Sequence, residues 1–277
     1  MEEKDLKSLN IRTDLVTDII PNINTTVNEE TYEENNIRVS NIFLDSKSSK
    51  LIGKKKGNYT TIFFEDITDK DNYNNVLNIL IKELHKIINK TSLKKDYSSL
   101  IIGLGNIKST PDSLGPKVIE NIIVTKHIYD YYKSLEKGYK ITEAFSPGVK
   151  GTTGIETSDI ISSIIKLEKP DLLIVIDALA SDSIDRVCKT IQITDAGINP
   201  GSGIGNERKE ISYETLNIPV IAIGVPMVVD AVTIVSDTIN YMEKHFSYNI
   251  KNINNPINKL IPSSMQNYLK EKDLNLT

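Results

Sequence analysis

The sequence predicts an α/β fold: a single domain with a central, largely parallel twisted sheet flanked by helices, plus an N-terminal extension that contains β-strands. Three observations carry this. Short apolar runs alternate with stretches whose apolar residues recur every three or four positions, the pattern of strands and amphipathic helices in turn. The runs Leu172-Leu173-Ile174-Val175-Ile176 and Val220-Ile221-Ala222-Ile223-Gly224-Val225 are apolar without alternation, as strands covered on both faces are. The run Leu100-Ile101-Ile102 leads straight into Gly103-Leu104-Gly105-Asn106, then Asp112, then a helical stretch. Strand, glycine turn, acid and helix in that order form the mouth of such a sheet, where ligands bind.

In chain order, residues 1–36 are polar and asparagine-rich, and no packed segment is expected there, although Ile11 to Ile20 carries enough apolar side chains to dock. Arg38 to Leu44 and Tyr59 to Phe64 read as two strands, with Ser46 to Gly57 a lysine-rich polar loop between them. Tyr73 to Asn89 is an amphipathic helix, with Val76, Leu77, Leu80, Leu84, Ile87 and Ile88 at helical spacing. One long helix is expected from Lys117 to Leu135, with Val118, Ile119, Ile122 and Ile123 inward. Lys140 to Phe145 is a strand that ends in the turn Ser146 to Gly154, where Pro147 and three glycines demand unusual φ angles. Thr157 or Ser158 then caps a helix whose buried stripe is Ile160, Ile161, Ile164 and Ile165. Ile184 to Val187 is read as helical, Thr190 to Ile193 as a strand that opens into a glycine-rich loop, and Val228 to Phe246 as a closing helix.

A chain of 277 residues is long enough to bury a sizeable core. Its formal net charge of -4 supplies no basic footprint, so direct binding to nucleic acid is not expected. The single cysteine, Cys188, excludes an intramolecular disulfide, fits a reducing cytoplasm, and is expected to be a small buried residue. The N-terminus is charged, with no apolar signal region, and the most apolar stretch is interrupted by Gly224, Pro226 and Asp230, so no membrane contact is expected.

Function follows first by elimination. His85, His127 and His245 all fall in predicted helices away from the glycine loops; H-E-x-x-H and G-x-S-x-G are absent. No metal site and no cofactor are therefore expected, and carboxylates are the natural acid and base. Asp112, after Pro111 and ahead of a helix, also fits an ordinary turn or cap, and Asp177, at the end of an apolar strand, fits a cap or a site residue equally. Two carboxylates held close cannot both ionise easily, so one keeps a proton while the other acts as base. Backbone amides around Gly105, Gly148, Gly151 and Gly203 are candidates to hold an oxyanion. The same glycines suggest a rival reading, a non-enzymatic phosphate- or nucleotide-binding module, although no Walker loop occurs.

Several motifs closely resemble the germination protease family, the spore endopeptidases. They are Ser146-Pro147-Gly148-Val149-x-Gly151-x-Thr153-Gly154-Ile155-Glu156-Thr157-Ser158-Asp159-Ile160, Gly103 to Asn106 with Thr110 to Lys117, Ile176 to Ser181, Asn199 to Glu210 and Pro219 to Thr233. The resemblance implies an atypical aspartic-type endopeptidase that starts the degradation of small acid-soluble spore proteins during germination. It implies a self-processing zymogen, a homotetramer, a place in the developing spore or spore core, and a fold like that of the hydrogenase maturation proteases. The family's proposed catalytic aspartates fall on Asp112 and Asp177. A maturation-type, metal-dependent protease built on the same acids is the enzyme alternative. The stretch Arg12-Thr13-Asp14-Leu15 resembles the family's self-processing site, which sets the expected cut between Asp14 and Leu15. It leaves residues 1–14 as a propeptide and 15–277 as the catalytic domain: 15–95 its N-terminal part, 96–246 the core, 247–277 a tail. An acid beside the cut bond needs a cation, for which Lys150, Arg208 and Lys209 are the loop candidates.

Overall fold

A computed structural model describes residues 13–20, 27–200, 209–231, 233–235, 237–239 and 241–242. The chain divides into two compact units, Met1–Asp230 and Ala231–Thr277. The first holds every strand described: β1 (Asn28–Glu34), β2 (Ile37–Leu44), β3 (Gly57–Phe63), β4 (Ser99–Gly103), β5 (Thr142–Phe145), β6 (Leu172–Ser181), β7 (Thr190–Thr194) and β8 (Val220–Val229). Its helices are α1 (Val16–Ile19), α2 (Ser46–Ile52), α3 (Lys70–Lys90), α4 (Leu114–Ile119), α5 (Lys126–Tyr132), α6 (Lys150–Thr153), α7 (Thr157–Glu168) and α8 (Tyr213–Leu216). The strands make one mixed sheet in the order β1-β2-β3-β7-β8-β6-β4-β5. In the second unit, helical positions occur between residues 231 and 242.

The sheet is α/β as expected, but only half of it is parallel. β8, β6, β4 and β5 run in parallel, whereas β1, β2, β3 and β7 pair antiparallel and β7 joins β8 antiparallel. The N-terminal strands β1–β3 are therefore part of the same sheet, joined to the parallel half through β7, rather than an extension beside it. The strand β1, absent from the sequence reading, has only Tyr32 less than exposed among its seven residues. An edge strand needs no apolar face, and its charges discourage pairing with a further chain. Asn35 and Asn36, both at positive φ (52° and 64°), make the two-residue turn that folds it onto β2.

Side chains alternate faces along a strand, and the core follows that alternation. Leu172, Ile193 and Ile221 pack with Val76, Ile79 and Ile87 of α3 on one side. Leu173, Val175 and Val220 pack with Ile161 and Ile165 of α7 in a second cluster. Adjacent residues Leu172 and Leu173 belong to different clusters and both are fully buried, as the unbroken apolar run requires. A third cluster joins Val16 of α1 to Ile42, Leu44, Ile52 and Tyr59.

Four local expectations need correction. The lysine-rich loop contains α2, whose start is capped by Asp45 accepting the N–H groups of Lys47 and Ser48 at 2.9 and 2.7 Å. The long helix from Lys117 breaks into α4 and α5. The residues between end in Ile122-Ile123-Val124-Thr125, a β-branched run that disfavours helix, and Thr125 N–H donates to the Thr142 carbonyl beside β5 at 3.0 Å. Ile123, expected inward, is exposed. β8 continues to Val229, so Val228 is strand, not helix. Cys188 is exposed at positive φ, its N–H donating to the Pro226 carbonyl at 2.9 Å.

Candidate active site

β4 ends beside the middle of β6. Gly103 lies opposite Ile176, and Leu104 N–H donates to the Ile176 carbonyl at 2.8 Å, so the loop after β4 starts next to residue 177. The loop then doubles back on itself. Asn106 N–H donates to the Asp112 carbonyl at 2.9 Å, and a Cβ on Gly105 (φ +113°) would stand 2.0 Å from that oxygen. A Cβ on Gly115 would stand 2.2 Å from the Leu104 carbonyl oxygen. These glycines are required because strand end, turn and α4 cross in direct contact, which accounts for them without a phosphate. The 3-10 turn Thr110–Asp112 packs against β6 and β8 and brings Asp112 to the cleft half-buried.

Asp177 was expected at a strand terminus. Instead β6 continues four residues further, to Ser181, and Asp177 sits mid-strand opposite Gly224 of β8. It is only 7% exposed, and its carboxylate accepts the Ala178 N–H at 2.9 Å. Gly224 in turn faces Gln192 of β7, so Asp177, Gly224 and Gln192 form a row across three strands. Asp112 and Asp177 line the same cleft, of about 600 Å³, with Lys54, Gln192 and Asp14 also in its wall.

Asp14 belongs to the N-terminal arm and lines the cleft just ahead of α1. Asp14 N–H donates to the Ala180 carbonyl, and Ala180 N–H donates to the Asp14 carboxylate, both at 2.9 Å. The Gln192 side chain holds both sides of the next residue: its Oε1 accepts Val16 N–H at 3.1 Å, and its Nε2 donates to the Asp14 carbonyl at 3.4 Å. Leu15 and Val16 are fully buried. Lys54 Nζ donates to the Thr13 carbonyl at 2.9 Å and lies 4.0 Å from the Asp14 carboxylate. Burial pushes the Lys54 ammonium below its ordinary pKa, while Asp14 and Asp18 pull it back up.

Asp18 locks the arm. Its buried carboxylate accepts from the hydroxyls of Thr13 (2.9 Å) and Ser181 (3.1 Å) and from Asp182 N–H (3.3 Å), and it pairs with Arg186 at 3.3 Å. Asp18→Ala is expected to cost roughly 3–5 kcal/mol, since Arg186 and several donors would lose their buried acceptor. Thermal melting and limited proteolysis of the arm would read the change, and unaltered profiles would show that other contacts hold it.

The remaining sequence candidates lie elsewhere. Lys150 pairs with Glu156 at 3.1 Å and Lys209 with Asp159 at 2.8 Å; both are well exposed and neither lines the cleft. Gly148, at φ 71°, lies in the turn after β5, which is tied to the end of β4 by Ser146 Oγ donating to the Gly103 carbonyl at 2.9 Å, whereas Gly151 lies within α6 without the unusual φ expected of it. Gly203, Arg208, His245 and the tail 247–277 lie outside the described residues. Among the described residues, no group of three or more His, Cys, Asp or Glu is placed to hold a metal ion, and no helix is long and apolar enough to cross a membrane. Sequence reasoning missed Lys54 and Gln192. Gln192 did carry a signal: a glutamine inside the short strand Thr190–Thr194 is a buried polar group in need of partners.

The germination protease family model matches residues 8–276. This chain belongs to the germination protease family. It is 45% identical to the germination protease of Oceanobacillus iheyensis over 83% of this chain and 63% of that one. To the germination proteases of Priestia megaterium and Bacillus licheniformis it is 44% and 45% identical, over 95% and 88% of this chain and 75% and 68% of theirs. The chain thus spans 63% to 75% of the length of these curated relatives. Germination proteases are peptidases, and membership of the family places the chain in that class.

Proposed function

We propose that this chain is a spore germination endopeptidase of aspartic type, with Asp112 and Asp177 as its acid–base pair and small acid-soluble spore proteins as its substrates. One observation carries the reading. In a member of a peptidase family, both carboxylates line one cleft together with an aspartate of the chain's own arm. The ionised partner takes a proton from water as it attacks the peptide carbonyl; the protonated partner polarises the carbonyl oxygen and then feeds the leaving amine. Gln192, its Nε2 directed at the Asp14 carbonyl, offers a further donor to the developing oxyanion.

On this reading residues 1–14 are a propeptide and the Asp14–Leu15 bond is the one the enzyme cuts in itself, with residues 15–277 remaining as the catalytic domain. Support comes from the contacts at that bond: Gln192 bridges Asp14 and Val16, and Asp14 pairs with the main chain of Ala180. Assembly as a homotetramer, action in the spore core and kinship with the hydrogenase maturation fold belong to the same proposal and rest on the sequence resemblance. The test is incubation of the purified full chain with a purified spore protein under excess chelator, followed by intact mass and N-terminal sequencing. Cuts between an acid and a large apolar residue, and a new N-terminus at Leu15, are expected. An intact substrate would refute the activity, and rescue by added metal would refute the metal-independent chemistry.

A further inference from the structure

We propose that Lys54 is the specificity-determining residue of the cleft, selecting an acidic side chain at the substrate position occupied by Asp14. The inference rests on the peptidase reading above and names what that cleft recognises.

Local structure brings Lys54 there. The helix α2 ends at Gly53, whose left-handed conformation (φ 71°) closes the helix with its N–H on the Ser49 carbonyl at 3.0 Å. Ser49 Oγ then donates to the Lys54 carbonyl at 2.7 Å, so the main chain is held where the side chain turns into the cleft. The Lys54 side chain is 23% exposed, against 60% for Lys150 and 67% for Lys209. An ammonium at that depth is stabilised by an anion far more than one in solvent.

The anion it meets is the Asp14 carboxylate, with one oxygen 4.0 Å from Nζ and the other accepting Ala180 N–H at 2.9 Å. Charge and hydrogen bond together describe a seat for a carboxylate. Lys54 Nζ itself donates to the neighbouring Thr13 carbonyl at 2.9 Å, so an amide isostere would keep an acceptor for Ala180 N–H and lose the charge. Among the described residues that line the cleft, the other cation is Lys55, which pairs with Glu210 and Glu214. When the arm leaves, Lys54 loses Asp14, and a substrate acid in the same place restores the pairing. The partner chemistry is therefore an acidic peptide, with Asp or Glu on the amino side of the cut bond.

The test compares peptides carrying the sequence of residues 11–20 with Asp, Asn or Lys at the position of Asp14, using the full chain and its Lys54→Met, Lys54→Gln and Lys54→Glu variants. Wild type is expected to favour Asp over Asn by about tenfold in kcat/KM, between the values for exposed and for buried hydrogen-bonded charge pairs, because this pair is half-buried and 4.0 Å apart. In Lys54→Met that ratio should fall to within about threefold, and in Lys54→Glu the Lys peptide should become preferred. The ratio is internal to each preparation, so it does not depend on how much of the enzyme is active. Lys54→Gln gives the same reading should Lys54→Met fail to fold. A wild-type ratio near one overturns the proposal with no variant needed, as does an unchanged ratio in a folded Lys54 variant. If wild type cuts none of the peptides and no spore protein, the peptidase reading fails instead. If it cuts but discriminates equally well without Lys54, only the assignment of Lys54 fails.

Discussion

Asp112→Asn and Asp177→Asn should each fold like the wild type and lose roughly 10²–10⁴-fold in the rate of peptide cleavage, the range for removing a positioned general acid or base. The substitution keeps size and shape, so the loss should fall on kcat rather than on melting temperature. Asp177 sits within β6 with its carboxylate accepting the Ala178 N–H, and an amide oxygen can accept that bond equally well. What the amide cannot do is exchange a proton with its partner at neutral pH. Cleavage within a few-fold of wild type by either variant would remove that residue from the chemistry.

Gly105→Ala should damage both activity and stability. At φ +113° an L-residue is strained, and its Cβ would lie 2.0 Å from the Asp112 carbonyl oxygen and 3.0 Å from the Asp112 carboxylate. Relief requires moving the turn that carries Asp112, which would break the hydrogen bond from Asn106 N–H to the Asp112 carbonyl. A stability loss of about 1–3 kcal/mol is expected. If Asp112 is the acid or base proposed, a misplacement of the order of 1 Å would also cost about 100-fold in rate. Melting together with kcat/KM reads both. A variant with normal kinetics would mean that the turn tolerates displacement, and that Asp112 is not held in place by this contact.

The parts of the fold that were legible are those where both neighbours are apolar. β6 and β8 announce themselves because burial on two faces leaves no polar alternation, and α3 because one face packs on the sheet. What stayed hidden has a physical reason in each case. β1 is an edge strand stabilised by its partner's main chain, so its side chains carry no signal. Parallel and antiparallel pairing depend on connections rather than on strand composition, which hid the mixed sheet. Asp177 looked terminal because the residues after it, Ala178 to Ala180, are small or apolar enough to be read as a helix start.

The site was half legible. Asp112 and Asp177, each open to a turn or cap reading by position and singled out by the family motifs, line one cleft, yet the loop candidates Lys150 and Lys209 pair with nearby acids on α7 or just before it. Lys54 was hidden in the run Lys54-Lys55-Lys56, which reads as solvated charge. Only the short helix α2, with Asp45 at its start and Gly53 at its end, turns the half-buried Lys54 toward the cleft.

The central claim is that two acids, remote in the chain, act as one device on a peptide bond. The most direct measurement is a double-mutant cycle of Asp112→Asn and Asp177→Asn, read as single-turnover cleavage of the Asp-Leu peptide by excess enzyme. The double variant is expected to be no slower than the slower single one, because removing either acid already disables the pair. Losses that multiply would mean that the two carboxylates work independently, and the shared-proton mechanism would be contradicted.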